Sequence, residues 1–409
     1  MNRTILHSDM NCFYASVEMM LNPELQGKAV AVCGSTENRH GIVLAKSEKA
    51  KQAGIKTGMV NWEAKRLCPD LILVPPQYEQ YLKYSNMARE IYQEYTDLVE
   101  PYGMDECFLD VTASQVLYGS GKEIADQIRC RMKNELGLTV SIGISFNKIF
   151  AKLGSDMKKP DAITSIEESE WKQKVWPLRV SELLFCGRST TKKLEQVGIY
   201  TIGDLAEMDH DYVNQLLGKN GLMLWSYANG LDDSPVMEKD FVSPMKSVGH
   251  GITCTADLKT EEEVILELCQ DIGHRLRIHG LKAQGVQIAI RSQELFIRQY
   301  QGQLSLPTIV PLEIAKLARE LFQRNYDWKE PVRSVTVRAI NLVSAKEPEQ
   351  ICLFSDPIRL EKEEKLFLAI EEIRRRFGKR AIYPAALMKD LKMPEYRDHG
   401  LIMPGVMNR

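Results

Sequence analysis

Residues 102–110 read YGMDECFLD, and the adjacent acids inside this apolar run limit the folds open to the chain. Successive side chains on a strand point to opposite faces, so neighbours on a regular strand cannot share a ligand. Two carboxylates forced together also repel, and the repulsion favours a proton on one of them. Asp105 and Glu106 therefore form either a solvated hairpin turn or a site with a local bend and a compensating charge. Gly103, just before them, tolerates backbone angles that a regular strand forbids and is the expected bend. Asp9 closes the first predicted strand, RTILHSD, and supplies a third carboxylate if the two strands are neighbours. Such oxygen donors suit a hard divalent cation, most often Mg²⁺, with phosphate oxygens completing the shell. Two such ions about 4 Å apart clamp the attacking and leaving oxygens of a phosphoryl transfer. On this reading Mg²⁺, and no protein cation, neutralises the pair.

The pattern around these acids predicts an α/β first domain of about 165 residues. FYASVEMML has helical spacing, KAVAVCG and GIVLAKS read as short strands, and EKAKQAGIKTGM reads as a helix ended by Gly54. QYLKYSNMAREIYQEYTDLVE predicts a long helix with a stripe of Tyr84, Met87, Ile91, Tyr95 and Leu98. The strands YGMDECFLDVT and TVSIGISFN flank the helix GKEIADQIRCRMKNEL. Acids at strand ends are where open α/β sheets bind ligands.

From Ile166 to Val236 short helices and glycines take over, and the polar link DDSPVMEKDFVSP reads as a domain boundary. Between Lys246 and Val343 the order β-α-β-β-α-β is expected, with Thr260 capping the first of its helices and Glu263 three residues on. In the tail, Leu366, Ile370, Ile373 and Phe377 share one helical face, and Glu371–Arg375 and Glu372–Arg376 are expected i,i+4 pairs.

At 409 residues the chain exceeds one ordinary core. Its nine cysteines include no CxxC pair, which speaks against zinc or a disulfide framework and for a reducing cytoplasm. No apolar run approaches the roughly 18 residues that span a bilayer, and Asp9 arrives too early for a secretory signal. A net charge of −2 predicts no partner, so any nucleic-acid binding must use local basic patches. One candidate patch is SFNKIFAKLGSDMKKPDA, whose Lys148, Lys152, Lys158 and Lys159 either hold phosphate or form an ordinary basic helix face.

HSDMNCFYASVE, YGMDECFLDVT and GISFNKIFAKLGSDMKKPDA occur in that order. Together they resemble the catalytic domain of the Y-family, translesion DNA polymerases, in particular the bacterial DNA polymerase IV group. The resemblance extends over roughly residues 1–354. It implies an α/β (α+β) multidomain right hand. The expected parts are a palm at 1–30 and 76–165, fingers at 31–75 and a thumb with a helix-hairpin-helix at 166–236. A β-α-β-β-α-β little finger follows at 243–345, then a clamp-binding motif and helical extension at 346–409.

The resemblance also implies roles. Asp9, Asp105 and Glu106 match the metal-binding acids, with the Met10 carbonyl as a further ligand. Tyr14 matches the steric gate that excludes a ribose 2′-hydroxyl by collision, Phe13 the neighbouring aromatic against the nucleotide, and Lys159 the lysine that reaches the triphosphate. Packing of the helix itself would also demand apolar residues at positions 13 and 14. The fingers depart from the pattern, because Glu48 and Lys51 stand where many members have a tyrosine and an arginine on the triphosphate. Lys51 keeps the charge without the bidentate fork, and Glu48 cannot hold phosphate.

Gly187, Ser189 and Lys192 are expected at DNA phosphate in the hairpin, as are Lys148 and Lys152, and Lys246, Ser247 and His250 on the opening strand of the little finger. Gln350, Leu353 and Phe354 form a QxxLF arrangement that resembles a sliding-clamp motif. The implied enzyme is a monomer that uses two Mg²⁺ ions, dNTP and primer-template DNA, with no membrane. A nucleotidyl cyclase on a palm-like sheet and a DNA-binding scaffold without catalysis are the rival readings.

Overall fold

The computed structural model describes residues 3–36, 41–258, 262–348, 356–378 and 381–388. Eight strands fall in the first part of the chain. They are β1 (Ile5–Met10), β2 (Val30–Cys33), β3 (Val43–Lys46), β4 (Ile72–Val74), β5 (Val99–Pro101), β6 (Glu106–Asp110), β7 (Val140–Ser145) and β8 (Ile163–Ile166). One sheet has the order β5-β6-β1-β7-β8 and a smaller one the order β3-β2-β4.

β1 lies at the centre, antiparallel to both β6 and β7. Every residue of β1 and β7 is buried, including the polar His7, Ser8, Asp9, Ser141 and Ser145. The helix Gly121–Leu136 packs on this sheet through Ile124, Ile128, Met132 and Leu136, one stripe at i,i+4 spacing. Ser120 and Glu123 form its capping box, and Gly137, at φ 68, ends it. The long helix stops at Gln93 and buries Tyr81, Ser85, Ala88, Ile91 and Tyr92. Its predicted stripe is rotated by about one residue, and Tyr95 and Leu98 lie beyond its end.

The helix Lys148–Met157 crosses β7 at very close range. A Cβ on Gly143 would lie 1.9 Å from the Ala151 carbonyl oxygen, so only glycine allows the approach. Short helices between Trp171 and Ala228 then pack around Leu183, Leu194, Ile202 and Leu224, in one cluster with Ile149, Phe150 and Leu153 of the helix Lys148–Met157.

The last sheet contains β9 (Ser247–Leu258), β10 (Leu281–Ser292), β11 (Ile297–Thr308) and β12 (Val332–Ser344), in the order β11-β10-β12-β9. With helices Glu262–Ile278 and Pro311–Asn325, the chain order is β-α-β-β-α-β as the sequence predicts. The link before β9 runs along the first sheet. Arg3 donates to the Ser234 carbonyl (2.8 Å), and the Met237 and Lys239 N–H groups donate to Glu100 and to the Asp97 carbonyl.

The tail helix, Pro357–Phe377, corrects one expectation. It buries Leu360, Phe367 and Glu371, and leaves Leu366 and Phe377 exposed. Glu371 pairs with His274, Arg277 and Arg374 rather than Arg375, because its helix docks by that side. Glu372 does pair with Arg376. Thr260 as a cap, and Gln350, Leu353 and Phe354, lie outside the described residues. Every described cysteine is free, and no described helix is long and apolar enough to cross a membrane.

Candidate active site

The three acids meet where β1 ends and β6 begins. Asp9 and Glu106 are direct cross-strand partners, so their side chains share one face. Asp105 precedes β6, in a bend that escapes the strand's alternation, and its carbonyl accepts from the Met10 N–H (2.9 Å). The convergence expected of the pair is thus achieved by ending the strand between its members. Gly103 lies in this same bend, as expected, although it takes no left-handed φ. A Cβ there would press on Asp105 Oδ1 at 3.3 Å.

Protein cations, contrary to expectation, stand on these acids. Lys152 Nζ lies 2.9 Å from Glu106 Oε1 and 3.3 Å from Asp9 Oδ2. Lys159 Nζ lies 2.7 Å from Asp9 Oδ2, and Asp156 joins both lysines. Helix Lys148–Met157 sets this spacing, because Lys152 and Asp156 stand one turn apart. Lys152, expected at DNA, has its ammonium among the carboxylates and largely buried. Lys148 departs further. Its ammonium is buried, 2.6 Å from Glu100 Oε2, and donates to the Pro235 carbonyl (2.9 Å), so it is not available to phosphate.

The charges settle unevenly. Burial, then the charges of Asp9 and Glu106, push the Asp105 carboxyl up to about 7. Burial, then Glu106, raises Asp9 against the pull of the two lysines. Burial also works to raise Glu106, yet the His7 ring and Lys152 hold it below the usual carboxylate range. His7 was not singled out by sequence reasoning. It is fully buried, which lowers its proton affinity; its Nδ1 lies 2.8 Å from Ser155 Oγ and its Nε2 3.5 Å from Glu106 Oε2. A histidine two residues before an acid, on a strand with no exposed position, was the available signal.

Among the described residues no three such side chains already stand at metal-ligand spacing, since the ammoniums take oxygens of Asp9 and Glu106. The donor chemistry nevertheless fits Mg²⁺: hard carboxylates, no thiolate, and an Asp105 that neither lysine pairs with.

The helix Phe13–Leu21 starts beside this cluster. Its cap residue, Cys12, at φ 50, makes no side-chain cap and donates instead to Glu48 Oε1 (3.1 Å). Lys51 Nζ lies 3.7 Å from the same oxygen, so Glu48 and Lys51 face each other. Phe13 is buried in the core, which gives its ring a packing role in place of the expected nucleotide contact. Tyr14 is half-buried and donates to Met104 Sδ (3.2 Å), next to Asp105.

Gly187, Ser189 and Lys192 are exposed at the start of the helix Arg188–Gln196, although only a short turn, Val180–Glu182, stands before the hairpin. Lys246 is exposed ahead of β9, and Ser247 opens that strand. His250 corrects its expectation. By alternation it shares the inner face with Val248 and Ile252, and its Nδ1 lies 3.0 Å from Asp271 Oδ2 on the covering helix.

Residues 8–156 match the impB/mucB/samB family and residues 245–353 match that family's C-terminal domain. The chain is 48% identical over 393 residues to DNA polymerase IV of Acetivibrio thermocellus, covering 95% of this chain and 98% of the relative. It is 38% identical over 393 residues to DNA polymerase IV 1 of Bacillus subtilis, with 95% and 94% covered. A solved chimera of Y-family DNA polymerases superimposes with a TM-score of 0.73 at 24% identity, over 83% of this chain and 99% of that one. Neither a cyclase nor a catalytically silent scaffold is favoured by these matches. With relatives this similar along nearly their whole length, the chain belongs to the impB/mucB/samB family of Y-family, translesion DNA polymerases.

Proposed function

We propose that Asp9, Asp105 and Glu106, with the Met10 carbonyl, hold two Mg²⁺ ions for template-directed nucleotidyl transfer. The primer 3′-hydroxyl attacks the α-phosphate of a dNTP, and pyrophosphate leaves. The cross-strand pairing of Asp9 with Glu106, with Asp105 adjoining, carries the assignment. Bound Mg²⁺ would supply positive charge where negative charge develops on the reacting phosphate. Lys159, now on Asp9, is placed to turn its ammonium to the triphosphate, and Lys152 remains to balance the acids. The uncapped first turn of the helix Phe13–Leu21 offers backbone N–H groups to phosphate as well. Tyr14 serves as the wall against a 2′-hydroxyl.

Gly187, Ser189, Lys192, Lys246 and Ser247 are the DNA backbone contacts of this reading, and Gln350, Leu353 and Phe354 dock on a sliding clamp. The enzyme works as a cytoplasmic monomer. Primer extension with dNTPs and Mg²⁺ tests the site: Asp105→Ala should abolish extension while the variant melts like a folded protein. Equal extension by Asp105→Ala would remove the assignment.

A further inference from the structure

The buried charge behind Tyr14 has no part in the chemistry above. Glu18 is 4% exposed and stands one helical turn from Tyr14, on the same face of the helix Phe13–Leu21. Its two carboxylate oxygens are both taken from the neighbouring helix. Tyr81 donates its hydroxyl to Oε1, and Gln77 Nε2 donates to Oε2 at 2.7 Å. The Tyr81 ring, 0% exposed, lies flat against Tyr14, with centroids 4.2 Å apart and planes 9° apart. The Tyr14 hydroxyl is tied at its far end to Met104. Tyr78 closes the edge, 6.1 Å away and nearly perpendicular.

A ring that excludes a substituent by collision works only if it cannot recede. Here recoil is opposed by a second ring whose own tip is fixed to a buried carboxylate, and that carboxylate is fixed in turn by Gln77. Burying an acid is costly unless its oxygens are satisfied, so a fully bonded Glu18 makes a stiff anchor. We infer that Tyr81, anchored by Glu18, positions Tyr14 and thereby sets how strongly the enzyme discriminates against ribonucleotides. This rests on the reading of Tyr14 as the steric gate.

The test is the ratio of kcat/KM for a dNTP to that for the matching rNTP, measured by single-nucleotide extension on the full chain. Tyr81→Leu removes the stack and should lower the ratio roughly three- to tenfold, the change expected for one lost aromatic pair. Tyr81→Phe keeps the ring and removes only the anchor, and Glu18→Gln keeps the volume and removes the charge; each should lower the ratio by roughly threefold. These two conservative variants carry the test if Tyr81→Leu does not fold. In a Tyr14→Ala background, Tyr81→Phe should change the ratio no further, because the wall it supports is gone; a merely structural role would give the same effect in both backgrounds. If Tyr14→Ala raises ribonucleotide use while Tyr81→Phe and Glu18→Gln leave the ratio at the wild-type value, the inference falls and the gate stands. If Tyr14→Ala itself leaves the ratio unchanged, the gate reading falls and takes this inference with it.

Discussion

Lys148→Met separates what the basic stretch suggests from what the structure shows. In sequence Lys148 belongs to a run of lysines suited to DNA phosphate; in the fold it closes a buried pair. Its ammonium touches Glu100 Oε2 at 2.6 Å and the Pro235 carbonyl at 2.9 Å, and sits over the Phe108 ring at 5.4 Å. Side-chain exposure is 7% for both partners, so removing the lysine takes the cation from a carboxylate that little water reaches. The Met237 N–H, at 3.0 Å, would still serve Glu100. Breaking a buried pair from one side costs about 3–5 kcal/mol. For a folding unit the size of the palm, that is a fall in Tm on the order of 10 °C. Adding Glu100→Leu should recover most of this, short of about 1 kcal/mol for the Met237 amide left without its acceptor. Thermal unfolding followed by calorimetry measures the three variants. Duplex binding across a salt series is the control, and the slope of log affinity against log salt should match wild type. An unchanged Tm together with a salt slope reduced by about one would refute the buried-pair account and restore the phosphate contact.

Other outcomes follow from the same structure. Between the ordinary value of 3.8 and about 7, native Asp105 keeps a proton that the unfolded chain has released, so metal-free stability should fall as pH rises through that window. Mg²⁺ favours the ionised form, so its stabilising shift in Tm should be larger at about pH 8 than at about pH 5; equal shifts would contradict the burial of Asp105. Glu48→Gln removes a negative charge beside the first turn of the helix Phe13–Leu21 and releases Lys51. The dNTP KM should drop roughly two- to fivefold in steady-state extension, and a rise would mean that Glu48 has another task. Gly143→Ala would set a Cβ 1.9 Å from the Ala151 carbonyl oxygen and 2.4 Å from the Ser155 nitrogen, both backbone atoms. It should cost about 4 kcal/mol or more, or prevent folding, and a near-normal melt would show that the helix can slide.

Much of the fold was legible because its signals are local. The β-α-β-β-α-β order between Lys246 and Val343 and the helix Gly121–Leu136 are both found where the sequence predicts them, since each period is set by one element's own geometry. The face of the tail helix was misread for the same reason. Leu366, Ile373 and Phe377 form a tidy stripe, but the docking surface offers His274 and Arg277 to Glu371, and that complementarity exists only between segments far apart in sequence. His250 shows the converse. Its place on the inner face follows from counting by twos from Val248, a local rule that outweighs the outward position a basic residue near DNA suggests.

The charge balance at the acids depended on chain crossing, and no local rule reaches it. Asp105 and Glu106 read as a pair that needs a cation, and the need was real. What could not be read was that Lys152 and Lys159, some fifty residues on, lie within ion-pair reach of Glu106 and Asp9. They do so because β7 returns beside β1 and the helix after it crosses at Gly143. The lysines pair with two of the acids, and neither of them pairs with Asp105. Burial, then the charges of Asp9 and Glu106, drive the Asp105 carboxyl up to about 7. A site built this way is held together before substrate arrives and still lacks positive charge at one carboxylate. That remaining deficit is what a divalent cation, arriving with a triphosphate, is suited to fill.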